Sequence, residues 1–242
     1  MTATASDGSQ QTAAKVAGVT TLFTMAIVVI ANFGIRERLI VAGNVPETAR
    51  NIISHERLFR INIACDLTYV TGVVVLLTAL YVIFKPVSPG VALLGAIFRL
   101  VYASMWIVIG LNSFYALRLL SGAEYLRVFE ADRLQVLSRL YLASSFDVYY
   151  VGLLFYGLAS TVCGYLWFKS NYIPRALAAF GVIASGFCVA CTFVFIISPN
   201  LARVVNLWWF DSPMGIFEMV LAFWLLFKGL RPFETAEPAK GV

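Results

Sequence analysis

Apolar residues run in six long blocks along the chain, at roughly 16–35, 58–84, 89–119, 140–168, 175–198 and 213–230. Each supplies the about 20 residues that a helix rising 1.5 Å per residue needs to cross a bilayer. Punctuation residues bound several of them. Ser88-Pro89 and Ser212-Pro213 each place a capping hydroxyl before a proline at the first helical position, and Lys85-Pro86 closes the second block. The predicted fold is an all-α integral membrane protein, a bundle of six transmembrane helices over 16–230, flanked by disordered tails at 1–15 and 231–242.

The connections alternate in length, short at 85–88 and 169–174 and longer at 36–57, 120–139 and 199–212, so the two faces of the bundle differ. Around the end of the third connection, Leu134, Leu137, Leu140 and Tyr141 share one side while Asp132, Arg133 and Arg139 surround the other, which predicts one interfacial helix feeding the fourth span. Trp208, Trp209 and Phe210, just before the last block, suit an aromatic belt at the membrane surface.

Composition supports this picture: 60% of residues are hydrophobic and 13% charged, a balance that a soluble domain of 242 residues could not keep in solution. The net charge of +5 comes from Lys and Arg spread over loops and helix ends rather than one stripe, which argues against nucleic acid. The first block lacks a small-residue cleavage site and ends in Arg36-Glu37-Arg38, so it reads as a retained helix and not a cleaved signal. Cys65, Cys163, Cys188 and Cys191 all fall inside apolar blocks and report no redox compartment. Cys188 and Cys191 form a CxxC in mid-helix, far in sequence from His55, the only histidine, so neither a metal site nor bis-histidine haem is expected. No cofactor is implied.

Ionisable groups at membrane depth cost about 2.5–3.5 kcal/mol or more each, so they usually face the bundle interior and have partners. Asp66, Arg99, Asp147 and Glu218 are such groups. Counting from the long-loop helix ends places Glu218 at ~8 Å, Asp147 at ~10 Å, Asp66 at ~12 Å and Arg99 at ~15 Å, a single layer in which Asp66 and Arg99, on adjacent helices, form the obvious pair. Asn62, Asp66 and Tyr69 share one helical face by their spacing, as do Arg99, Tyr102 and Trp106, and Tyr150 follows Asp147 by three. Glu56, Arg57 and Arg60 would line the mouth. Three carboxylates against one arginine leave a surplus that Arg57 or Arg60 turned inward, a bound cation, or a retained proton would relieve. Such a lining suits a lipid, an isoprenoid or another amphipathic small molecule better than a hydrated ion.

A series of short motifs carries a resemblance. It comprises Glu56-Arg57-Leu58-Phe59-Arg60, Asp66-Leu67, Phe98-Arg99-Leu100-Val101, Phe155-Tyr156-Gly157-Leu158, Gly164-Tyr165-Leu166, Lys169-Ser170-Asn171-Tyr172-Ile173-Pro174-Arg175, and Glu218 ahead of Trp224-Leu225-Leu226-Phe227-Lys228-Gly229. Together these resemble the bacterial multi-span membrane family known as domain of unknown function 4386, over nearly the whole chain. The resemblance implies a multi-span fold in a bacterial inner or plasma membrane and brings no established activity. Its members often carry a histidine in the fourth span. This chain has none there, and Asp147 is the nearby stand-in.

Function therefore rests on the residues. A pocket open towards the long loops that binds a membrane lipid or hydrophobic small molecule is the leading expectation. The alternatives are a membrane-embedded acid catalyst of isomerase or cyclase type on an isoprenoid-like substrate, and a structural or assembly subunit whose buried Asp–Arg pair only fixes helix register. Six helices are few for a transporter, a deficit that a homo-oligomer would repair. Lys and Arg number about ten on the long-loop side against about seven on the other, yet Glu37, Glu47, Glu56, Glu124, Glu130 and Asp132 offset the former, and both termini are expected in the cytoplasm.

Overall fold

The structure is a computed structural model that describes residues 3–198, 200 and 208–232; the side chains of 3–7 and 208–210 lie outside it. The described chain is helical nearly throughout, with no strand among the described residues. Helices α1 (Ala3–Val29), α4 (Glu56–Phe84), α5 (Pro89–Leu119), α6 (Ala131–Ser170), α7 (Arg175–Ile197) and α8 (Trp208–Phe227) are the long ones, and α2 (Glu37–Leu39) and α3 (Val45–Ser54) fill the first long connection. A π-helical segment, Ile30–Arg36, continues α1. Among the described residues, five stretches are long and apolar enough to cross a bilayer: Gly8–Leu39, α4, α5, α6 and α7. The chain is thus a multi-pass helical membrane protein.

The long helices pack as a ring in chain order. α1 lies on α4, α4 on α5, α5 on α6, α6 on α7 and α7 on α8, and α8 returns to α1. Small residues set the close approaches, as expected where lipid offers no hydrophobic drive between helices. A Cβ at Gly18 would meet the Ala222 carbonyl oxygen at 2.9 Å, one at Gly157 the Val189 side chain at 2.7 Å, and one at Gly72 the Thr24 side chain. Gly181 receives the ring of Phe217, 2.5 Å from where its Cβ would stand, and so seats α8 against α7.

Three features depart from the sequence expectation. Residues 3–15, expected as a tail, are the first turns of α1, and the side chains of Gln10 and Gln11 show why. Gln10 donates to the Ile83 carbonyl and the Tyr172 hydroxyl, both at 2.9 Å. Gln11 donates to the Leu230 carbonyl at 2.8 Å and accepts from the Leu230 amide at 3.0 Å. The segment Asp132–Tyr141 is not a separate interfacial helix but the opening of α6, which runs unbroken for 40 residues. The short separate helix is α3, where Asn44 caps Glu47 N–H at 3.1 Å and Pro46 stands in the first turn. Finally, α8 starts ahead of Ser212-Pro213, at Trp208. The proposed belt of Trp208, Trp209 and Phe210 and the tail from 233 onward lie outside the described side chains and residues.

Candidate functional site

In a ring of six, α5 and α8 stand on opposite sides, and one interaction joins them through the interior. Arg99 Nη2 on α5 donates to Glu218 Oε1 on α8 at 3.3 Å and to Ser160 Oγ on α6 at 3.1 Å. The guanidinium also lies 5.5 Å from the centre of the Tyr156 ring, within cation–π range. Arg99 lies ten residues from Pro89, Ser160 ten from Ser170 and Glu218 nine from Phe227. All three are therefore about 14–15 Å from the short-loop end of their helices. Of the three ion pairs among the described residues, this one alone is buried.

The pair forms part of the wall of a small cavity of about 20 Å³, room for one water molecule. Ser160, Cys163, Thr21 and Trp167 share that wall with apolar side chains. Arg99 Nε is buried without a hydrogen-bond partner. An unpaired donor of a buried cation is costly, so this atom is where an acceptor would be held.

Towards the long loops the interior is filled with aromatic side chains. The Tyr69 and Tyr102 hydroxyls are 2.7 Å apart, Trp106 packs 4.6 Å from Tyr69, and Tyr156 lies 4.9 Å from Tyr102. Tyr149 extends the cluster through an edge contact to Trp106 at 6.3 Å and donates its hydroxyl to Asp211 Oδ2 at 3.0 Å. The Trp106 indole nitrogen has no partner. The predicted grouping of Tyr69, Arg99, Tyr102, Trp106 and Glu218 is thus brought together in one interior.

Other expected members are placed elsewhere. Asp66 does not pair with Arg99. Contact between Tyr69 and Tyr102 puts Arg99 opposite position 72 of α4. Asp66 lies six residues from there, about 9 Å along the axis. It accepts instead from Asn62 Nδ2 at 3.3 Å, and the charge acting on it is that of Arg36, at the end of the π-helical segment. The single layer is therefore two levels, and Arg57 and Arg60 do not turn inward. Asp147 is exposed on the outer side of α6. It precedes Tyr156 by nine residues, which at about 100° each turns it to the opposite face. Tyr150 stacks on Phe195 of α7 at 6.1 Å. Glu56, Arg57 and Arg60 are exposed at the start of α4, where Arg60 Nε bonds Glu56 Oε1 at 2.7 Å.

Asp211, Tyr149, Tyr156, Ser160 and Arg36 are absent from the sequence-based site. A signal existed for two sets. Tyr149, Tyr156, Ser160 and Cys163 recur at spacings of seven, four and three on one face of α6, and Asp211 precedes Glu218 by seven. Reading Ser212-Pro213 as the helix start put Asp211 in a loop.

The family model Domain of unknown function (DUF4386) matches residues 16–229. An uncharacterized protein of Archaeoglobus fulgidus is 26% identical over 158 residues, covering 65% of this chain and 76% of the relative. No solved structure matches the chain.

Proposed function

The chain belongs to the Domain of unknown function (DUF4386) family, and from that premise we propose that it is a membrane-embedded binding protein for a small amphipathic molecule. Its polar end is held at Arg99 and its apolar body lies against the tyrosine-rich interior. One observation carries the reading: a buried arginine that lines a small interior cavity crosses the ring to a single carboxylate oxygen while its Nε has no acceptor. A guanidinium presents a planar fork suited to two acceptor oxygens, and Glu218 engages only one of its nitrogens. A ligand carboxylate or phosphate would complete that fork and replace Glu218. Space for one water does not admit such a ligand, so binding requires α8 to part from its neighbours. In this reading α8 is the sixth span, and both termini face the cytoplasm of a bacterial plasma membrane.

The reading is tested by purifying the full chain in mild detergent and identifying co-purifying small molecules by mass spectrometry, alongside Glu218→Gln and Arg99→Met. Wild type should carry an anionic amphiphile enriched over bulk membrane lipid, Glu218→Gln should carry at least as much, and Arg99→Met should lose it. A wild-type profile identical to bulk lipid, or one unchanged in Arg99→Met, overturns the reading.

A further inference from the structure

Away from the ring interior, α1 and α4 leave between them an open groove of about 600 Å³ on the lipid-facing side. The size falls within the range of small-molecule sites. Its walls are mostly small or apolar, with Gly8, Thr12 and Val16 from α1 and Val75, Thr78 and Val82 from α4. The Thr12 and Thr78 hydroxyls bond to carbonyls one turn back in their own helices, at 2.9 Å each. They therefore present methyl groups rather than free donors. Gln10 bonded to the Ile83 carbonyl places the upper end of the groove at the short-loop rim. From there, Val82 to Val74 covers eight residues, about 12 Å of depth, roughly the upper part of one acyl chain's layer.

The charges around this groove are mostly basic. Lys85 follows Val82 by three and Thr78 by seven, so it continues the lining face of α4 at the rim. Lys15 follows Thr12 by three and Gly8 by seven, so it flanks the groove on α1 about 7 Å below the level of Gln10. Both are exposed, and among the described side chains, which begin at residue 8, neither pairs with a carboxylate. The short-loop rim carries Lys15, Lys85, Lys169, Arg175, Lys228 and Arg231 against one acidic residue among the described ones, Asp7 in the first turns of α1. Lysine stems lie along apolar surface and lift the ammonium to the headgroup level.

We infer that the α1–α4 groove is a site for an anionic phospholipid, with one acyl chain in the groove and the phosphate between Lys85 and Lys15. A zwitterionic lipid would offer the same chain but no net charge to the two ammonium groups, each of which adds to anionic-lipid affinity. A helix of a second copy would bury both lysines without a counter-charge.

The test reconstitutes the full chain in nanodiscs of equal phosphatidylglycerol and phosphatidylcholine, then releases it for native mass spectrometry and counts retained lipids. Wild type should retain phosphatidylglycerol over phosphatidylcholine by about tenfold. Lys15→Gln with Lys85→Gln should abolish that preference, and Thr78→Trp, which fills the groove without changing charge, should lower total retention. Arg99→Met, which the interior reading requires to lose its ligand, should keep the phosphatidylglycerol preference, which separates this site from the interior one. Equal retention of both lipids by wild type, an undiminished preference in the double lysine variant, or a lipid-free dimer each overturns the inference.

Discussion

At the scale of single residues, the Arg99–Glu218 pair is the feature with the largest energetic stake. Removing one partner of a buried ion pair leaves an uncompensated charge and costs about 3–5 kcal/mol, whereas removing both loses only what the pair contributed net. Arg99→Ala should therefore destabilise the protein more than Arg99→Ala with Glu218→Ala, with a coupling of about 1–3 kcal/mol in a double-mutant cycle measured by unfolding in detergent. The same cycle with Asp66→Ala in place of Glu218→Ala should be additive within about 0.5 kcal/mol, since those residues stand on different levels. A coupling between Arg99 and Asp66 as large as that with Glu218 would contradict the register read from Tyr69 and Tyr102. The inward placement of Arg99 and Glu218 was legible in the sequence, because charges are rare inside apolar blocks and are expensive there. Their partnership was not. It depends on α8 closing the ring opposite α5, and no spacing within one helix encodes which helices face each other. Asp147 shows the converse: its depth was legible, but its direction was set by the face of α6 that carries Tyr149, Tyr156 and Ser160.

At the scale of elements, helix contacts made by glycine are the most sensitive to added volume. A side chain at Gly72 would enter the space of the Thr24 methyl on α1, and Thr24 is itself buried with its hydroxyl bonded to the Thr20 and Thr21 carbonyls. Gly72→Leu should cost about 1–3 kcal/mol through overpacking. Gly186→Leu, on an exposed part of α7 with nothing within 4 Å of the would-be Cβ, should be near neutral. A thermal melt that ranks the two the other way would refute the α1–α4 packing. The element ends were the less legible part of the fold. Six apolar blocks stood out from length and hydropathy alone, but residues 8–15 are polar enough to look like a tail. They belong to α1 because Gln10 and Gln11 bond backbone groups more than seventy and two hundred residues away. Long-range partners of that kind leave no periodic trace in sequence.

At the scale of the whole molecule, the ring requires α8 to run alongside α1 and α7, and the two anchors at its ends make a definite claim about topology. Near its C-terminal end, Gln11 holds both the amide and the carbonyl of Leu230, which ties Gly229 and Leu230 to the same rim as Ile83 and Tyr172. Nearer its N-terminal end, Asp211 accepts from Tyr149 on α6, some eleven residues further from that rim than Ser160. Between Asp211 and its end at Phe227 the helix rises about 24 Å, most of the hydrocarbon thickness. Reporter fusions after Lys85, Lys169 and Lys228 should consequently fall on one side of the membrane, and fusions near Val45, Gly122 and Asn206 on the other. Lys228 sharing a side with Asn206 would mean that α8 does not cross. The ring would then be open between α7 and α1, and Glu218 would reach Arg99 from the membrane surface rather than across the bundle.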